Sequence, residues 1–240
     1  TRLFGRTFAG IRWLFQRDGV CASNQFEVVA CLRSSTGVVY PNIQLTISPV
    51  AVDDRTWKPL SEHAFQIHVG LMRAHSRGSI TLRDNDPSTA PCILVNYMND
   101  ARDRDVLLKG IRLVREIVNQ QAFKPICGDE IYPGISAQSD DELNQCLEAK
   151  LTTQWHLSGT AKMGASSDRG AVVDVHGKVH GLAKLRVVDA SVMPTATNGN
   201  INAPTIMIAE KISDAILGIT PLLRIEAPVW QNKNYESTQR

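Results

Sequence analysis

At 240 residues, with 43% apolar and 21% charged side chains, the chain has the composition of a folded domain rather than a disordered or fibrous one. A formal charge of +2, with acids and bases interleaved as in the run from Asp100 to Asp105, argues against a nucleic-acid or anionic-membrane partner. No apolar run is long enough to span a bilayer, and the five cysteines (Cys21, Cys31, Cys92, Cys127, Cys146) include no C-x-x-C pair, which argues against a disulfide framework or structural zinc and for a reducing, cytoplasmic compartment.

Residues 3–15 carry Phe4, Phe8, Ile11 and Phe15 at helical spacing, and Gly19 ends that pattern. The stripe, with Trp13, is expected to be core or a contact with the rest of a longer protein. The stretches 26–33, 42–50, 65–72 and 79–83 read as strands, with Gly78 at the turn before the last, and Ile93–Met98 as another. A helix is predicted from Asp103 to Gln120, capped by Asn99 or Asp100, with a buried stripe of Leu107, Ile111, Val114 and Val118. Arg112 and Arg115 are assigned to its solvated face. A further helix starts at Ser139, where Ser139-Asp-Asp-Glu142 has capping-box form. From there a Ser/Gly/Thr-rich loop covers 155–166. Val172–Val175 and Lys178–Val179 form a short hairpin around His176-Gly177, and Leu185–Asp189 is a compact strand. The loop Ser191–Asn202 leads into a helix from Pro204 to Leu217, stopped by Gly218. The tail, 219–240, reads as an extended arm or disordered. Strands and helices without regular βαβ alternation predict an α+β fold.

The chain has no G-x-G-x-x-G, no phosphate-binding G-x-x-x-x-G-K, and neither H-E-x-x-H nor G-x-S-x-G. No metal site is predicted, because His63, His68, His75, His176 and His180 lack ligand spacing. Two polar loops attached to apolar elements stand out, Trp155–Gly164 and Leu185–Thr205. In the second, a strand ends in Asp189 and a helix N-terminus follows, a place that favours anions. His156 on the first loop is a candidate acid/base, or a histidine satisfied by its surroundings.

These two stretches, with Ser23-Asn-Gln-Phe-Glu27, Pro41-Asn-Ile-Gln44, Ser76-Arg-Gly78, Arg112-Leu-Val-Arg-Glu116 and Ser139-Asp-Asp-Glu142, resemble the C-terminal region of the glucose–methanol–choline oxidoreductases. The choline-dehydrogenase branch is the most similar. The likeness runs in order to about Gly218. It implies an antiparallel-sheet substrate domain with helices over residues 1–150, and a segment, 151–218, that completes an FAD-binding α/β domain and carries the catalytic loop. The dinucleotide fold itself would lie in an N-terminal half that precedes this sequence. A start at Thr1-Arg2-Leu3 fits that expectation.

The resemblance implies oxidation of a CH–OH group, with hydride passing to flavin N5. His156 matches the residue that takes or holds the hydroxyl proton, and Asn200 the residue that hydrogen-bonds the substrate oxygen. Asp189, Ala190, Asn200, Ile201, Asn202 and Thr205 match positions that approach the cofactor, FAD. Glu27 matches a carboxylate facing a quaternary ammonium, and Trp155 an aromatic of its cage, where ion pairing and cation–π attraction offset desolvation. The alternative for Asp189 is a turn cap, for Glu27 an exposed strand-end acid, and for Trp155 a packing residue. Relatives carry Pro and then Cys or Ser after the histidine, whereas this chain has Leu157-Ser158. The implied partners are the N-terminal flavin-binding half and a small alcohol, choline first and another small or amphipathic alcohol second. A homo-oligomer is compatible, and any membrane association would run through an electron acceptor. The alternative is a non-catalytic binding module, against which the retention of both His156 and Asn200 argues.

Overall fold

The computed structural model describes residues 3–53, 56, 58–229 and 231–239. In chain order the elements are α1 (Leu3–Gln16), β1 (Val28–Leu32), β2 (Ile43–Ser48), β3 (Gln66–Leu71), β4 (Ser79–Thr81), β5 (Cys92–Leu94), α2 (Ala101–Val118), α3 (Asp140–Lys150), a 3-10 turn (Ala190–Val192) and α4 (Asn202–Leu217). Helices and antiparallel sheets are mixed, as the α+β expectation required. The chain divides into two compact units, one of Thr1–Leu71, Asp105–Thr152 and Tyr235–Arg240, the other of Met72–Arg104 and Thr153–Asn234. Each unit is thus discontinuous in sequence.

The first unit is built on the sheet β1-β2-β3, antiparallel throughout, with Ile43 paired to Leu32 on one side and Leu71 on the other. Alternation along β2 sends Ile43 and Leu45 into the core. Gly110 of α2 meets this sheet. A Cβ on it would stand 2.4 Å from Val69 Cγ1 and 3.5 Å from Ile43 Cδ1, so only glycine lets the helix come this close. The buried face of α2 in this unit is accordingly Leu107, Leu108, Gly110 and Leu113. The predicted stripe is rotated away from it, leaving Ile111, Val114 and Val118 half-buried on the flank, because a glycine did not register as a packing residue. Leu108, Ala137 and Leu143 form a buried cluster with Ile111, Cys146 and Leu147 of α2 and α3 packed against it.

Arg115 corrects its assignment to the solvated face. Its Nε and Nη2 donate to the two Glu130 oxygens at 2.9 Å each, and its Nη1 and Nη2 reach Ala137 O at 2.8 Å and Gly134 O at 3.1 Å. The planar fork of arginine ties the 130–137 loop to α2. Arg112 does stay exposed, bonded to Asp140. The capping box at α3 forms as predicted: Ser139 Oγ accepts from Glu142 N–H at 3.3 Å, and Glu142 Oε2 accepts from Ser139 N–H at 2.9 Å.

The core reading of the α1 aromatics is overturned. Phe4, Phe8 and Phe15 are 91%, 68% and 80% exposed, because no described part of the chain covers this stripe. Arg17 lies over the Trp13 ring at 4.6 Å, and Arg12 pairs with Asp18 at 2.7 Å, which fixes the turn that ends the helix. The tail is irregular over 219–229, but its end is anchored. Tyr235 O accepts from Gly37 N–H at 2.7 Å, Thr238 O from Arg33 Nη2 at 2.9 Å, and Arg33 O from Gln239 Nε2 at 2.8 Å.

In the second unit, β4 and β5 pair antiparallel, and Gly78 passes so close to β5 that a Cβ would lie 2.0 Å from Leu94 O. The strand expected to reach Met98 stops at Leu94, since Asn96 and Met98 take φ of 54° and 59°. Asp100 caps α2 by accepting from Arg102 N–H at 2.9 Å. Asp103, fully buried, accepts from His75 N–H, Ser76 N–H and Ser76 Oγ at 2.8, 2.7 and 2.6 Å. Residues 173–179 make the expected turn, with Val173 bridged to Val179 and Asp174 O accepting from Gly177 N–H. The predicted strand Leu185–Asp189 does not form. It makes one bridge, Lys178 to Arg186, and bonds Val179 N–H to Leu185 O and Val187 N–H to Gly177 O, too few partners for a ladder. Helix α4 begins at Asn202, two residues before the expected Pro204, and ends at Gly218 with φ 70°. Val173, Val192, Met193, Ile201 and Ile212 make its core.

Gly110→Ala should destabilise the protein by about 1–3 kcal/mol through overpacking, although the same change in an open helix stabilises; equal or raised urea midpoints would show that the helix has room. Hydrogen bonds from Ser139 N–H, Gln138 N–H and Ser139 Oγ hold the Glu142 carboxyl below the ordinary carboxylate range. A folded pKa lower than the unfolded one contributes stability above the unfolded value, about 4.3, and this is lost as pH falls through the folded value. Wild type should therefore exceed Glu142→Gln in urea midpoint near neutrality, and the gap should narrow as the pH is taken below the unfolded value.

Candidate active site

The loop carrying His156 has no regular structure, and backbone bonds fix it. Gly159, Ala161 and Met163 N–H donate to Ala190, Ser191 and Val192 O at 3.3, 2.9 and 2.8 Å, lacing the loop to the 3-10 turn. Gly159 has φ +88°, and a Cβ there would meet Met193 O at 3.2 Å. Asp189 caps that turn, its Oδ1 accepting from Ser191 N–H at 2.8 Å and from Ser191 Oγ. The lacing sets the height of the histidine loop against the loop that leads to α4.

The consequence is a contact between residues 44 apart in sequence. Asn200 Nδ2 lies 2.6 Å from His156 Nε2. The amide offers both a donor and an acceptor, and the ring nitrogen takes either role according to its tautomer, so the two side chains meet as hydrogen-bond partners. His156 is half-buried and Asn200 exposed, so the pair faces outward from the second unit.

Next to Asn200, Ile201 is buried and stands at the N-cap of α4, where no side chain caps the helix. The first-turn N–H groups of Asn202 and Ala203 have no partner within the helix, and Pro204 brings none. A sixteen-residue helix places about half a positive charge at such an end, so it suits an electron-rich group such as the pyrimidine edge of a flavin. Thr205 is turned inward, its Oγ1 donating to Ile201 O at 2.6 Å. Asp189 and Ala190 serve the 3-10 turn, Asp189 as the cap that was the bland expectation for it. Trp155, 78% exposed and at φ 63°, is held by its N–H bonding to Thr153 Oγ1 at 2.9 Å. Glu27 belongs to the first unit, exposed at the entry to β1, whereas Trp155, His156 and Asn200 belong to the second.

Sequence reasoning missed the parts that hold these residues. Met72 O and Thr197 O share the Gly199 N–H, and Asp103 fixes the turn after Met72. A glycine between Asn198 and Asn200 was the available signal, since such a position invites a positive φ, and Gly199 has φ +118°. Among the described residues, no group of His, Cys, Asp and Glu is arranged to hold a metal ion. No helix among them is long and apolar enough to cross a membrane.

The family model described as GMC oxidoreductase matches residues 74–209, more than half of the chain. An oxygen-dependent choline dehydrogenase from Pseudomonas savastanoi pv. phaseolicola is 50% identical over 218 residues, 91% of this chain and 38% of that protein. One from Brucella anthropi is 45% identical over 238 residues, 99% and 43% respectively. Among solved structures, pyridoxine 4-oxidase from Mesorbium loti superposes with a TM-score of 0.73 at 25% identity, over 80% of this chain and 38% of that one. A formate oxidase variant from Aspergillus oryzae RIB40, at 24% identity, shares the fold with a TM-score of 0.78 over 89% and 41%. The chain thus spans about two fifths of the length of the choline dehydrogenases it matches. With that family model matched over more than half of its length, the chain belongs to the GMC oxidoreductase family.

Proposed function

We propose that this chain supplies the substrate domain and the catalytic edge of an FAD-dependent alcohol dehydrogenase that oxidises choline. The observation that carries this is the 2.6 Å contact between His156 Nε2 and Asn200 Nδ2, which sets a base and a donor side by side. A substrate hydroxyl that displaces this contact gives its proton to Nε2 while its oxygen accepts from Nδ2. A well-placed donor to a developing alkoxide contributes roughly 2.7–4 kcal/mol to catalysis. When bound, FAD supplies the acceptor for the hydride that leaves the carbinol carbon.

On this proposal the uncapped start of α4, at Ile201, Asn202 and Thr205, lies against the flavin ring, and Asp189 and Ala190 approach the ribityl and phosphate region. Segment 151–218 then completes the flavin domain, and the N-terminal half provides the main cofactor-binding fold. Glu27 and Trp155 bind the quaternary ammonium of choline, the carboxylate through charge and the indole through its π face. The 45–50% identity to proteins named as choline dehydrogenases supports this substrate over other alcohols.

Two outcomes are expected. The purified chain should be colourless near the flavin bands, and co-expression with the upstream half should give yellow protein that oxidises choline with a dye acceptor. Tight flavin binding and turnover by the chain alone would sink the two-half proposal. In the reconstituted enzyme, His156→Ala should lower kcat by ~10²–10⁴, and normal turnover by that variant would remove His156 as the base.

A further inference from the structure

We propose that Met72 is a positioning residue for Asn200, acting through Gly199; this rests on the role given to Asn200 above. Gly199 immediately precedes Asn200 and sits at φ +118°, a conformation open to glycine and strained for other residues. Its orientation is fixed from outside its own loop. The Gly199 N–H is shared between Thr197 O at 3.0 Å and Met72 O at 3.4 Å. A Cβ built on Gly199 would lie 3.6 Å from Met72 Cε, so the Met72 side chain closes the open side of this glycine. Met72 therefore faces Gly199 with its side chain and holds it with its carbonyl.

Met72 is itself held. It is 8% exposed, and the chain just beyond it is fixed by the buried Asp103, which takes three hydrogen bonds from His75 and Ser76. Ser76 Oγ also accepts from Asp100 N–H at 3.1 Å, and Arg77 Nη1 reaches Ala74 O, His75 O and Ser76 O at 2.8, 3.1 and 3.0 Å. Within the loop that carries Asn200, Thr197 Oγ1 is buried without a hydrogen-bond partner. The brace thus runs from Asp103 through the 72–77 segment to Gly199, and so to the Asn200 amide. A hydrogen bond of 2.6 Å tolerates little movement, and a displacement of ~1 Å at a reacting group can cost up to about a hundredfold in rate.

The test is a double-mutant cycle in the flavin-loaded full-length enzyme that contains this chain, using choline and a dye acceptor. Met72→Ala should lower kcat by about tenfold to a hundredfold with KM little changed, while the volume-conserving Met72→Leu keeps most of the rate. In an Asn200→Ala background, Met72→Ala should cost nothing further, because the group it positions is gone. Histidine ¹⁵N–¹H spectra give a readout independent of turnover: the His156 Nε2 resonance should move in Met72→Ala in the direction it moves in Asn200→Ala. Multiplying losses in the double variant, or an unmoved Nε2 resonance, would overturn the role of Met72 while leaving Asn200 in place. Full kcat in Asn200→Ala alone would instead remove the reading on which the brace rests. Should Met72→Ala fail to fold, as judged by flavin absorbance, Gly199→Ala takes its place in the cycle with the same expectations.

Discussion

The contact on which the site depends joins two loops that have no regular structure of their own. His156 and Asn200 meet at 2.6 Å only because the chain after each is fixed by backbone hydrogen bonds. A single such bond contributes about 1 kcal/mol net. The three rungs from Gly159, Ala161 and Met163 to the 190–192 turn act together, because a loop bonded at one point can pivot and a loop bonded at three cannot. Positive φ at Gly159 and Gly199 shapes both loops, and at Gly159 a side chain would also crowd the Met193 carbonyl. The geometry of the base and its neighbouring donor is therefore a property of glycines and carbonyls more than of the two polar residues themselves.

The two units reach order by different means. In the first, burial dominates: Ile43, Leu45, Leu107 and Leu143 are closed off, and Gly110 draws a helix onto the sheet. Arg115 then secures the 130–137 loop with a bidentate ion pair and two carbonyls. In the second, strands are short, and much of the chain is held by turns, bridges and the buried Asp103. A functional loop pair belongs on such a framework. Regular ladders would consume the N–H groups that the open end of α4 leaves free for an electron-rich partner.

Local signals in the sequence were legible where they are self-contained. The capping box at Ser139 and Glu142, the Gly218 stop and the turn around Gly177 all form as their residues dictate. Features that depend on distant partners were not. Leu185–Asp189 has the residues of a strand but finds no ladder within the chain. Arg115 has the spacing of a solvated residue, and only the fold brings Glu130 and the 134–137 carbonyls to it. The tail reads as loose, yet Tyr235, Thr238 and Gln239 find Arg33 and Gly37, some two hundred residues away in sequence. The His156–Asn200 pair lies between these cases. Nothing in the separation of His156 from Asn200 predicts contact, and it was the order of motifs around them that nominated both.

The exposed apolar surface follows the same logic. Phe4, Phe8 and Phe15 on α1, Leu82, Ile93 and Leu94 around the β4–β5 pair, and Ile206 and Met207 on α4 are large side chains left in water. Each fully buried side chain of this size contributes about 1.5–3 kcal/mol, so leaving them uncovered forgoes a large stabilising term. Contiguous apolar faces of this kind mark surfaces that meet another body. On the two-half proposal, α4 presents Ile206 and Met207 one turn beyond the open N-terminus that would face the flavin. The same helix would then serve as a cofactor contact and as part of the seam with the N-terminal half. Assembly of that seam and completion of the site become one event: burial at the seam would seat the end of α4, and with it Asn200 and His156, against the flavin that the other half carries.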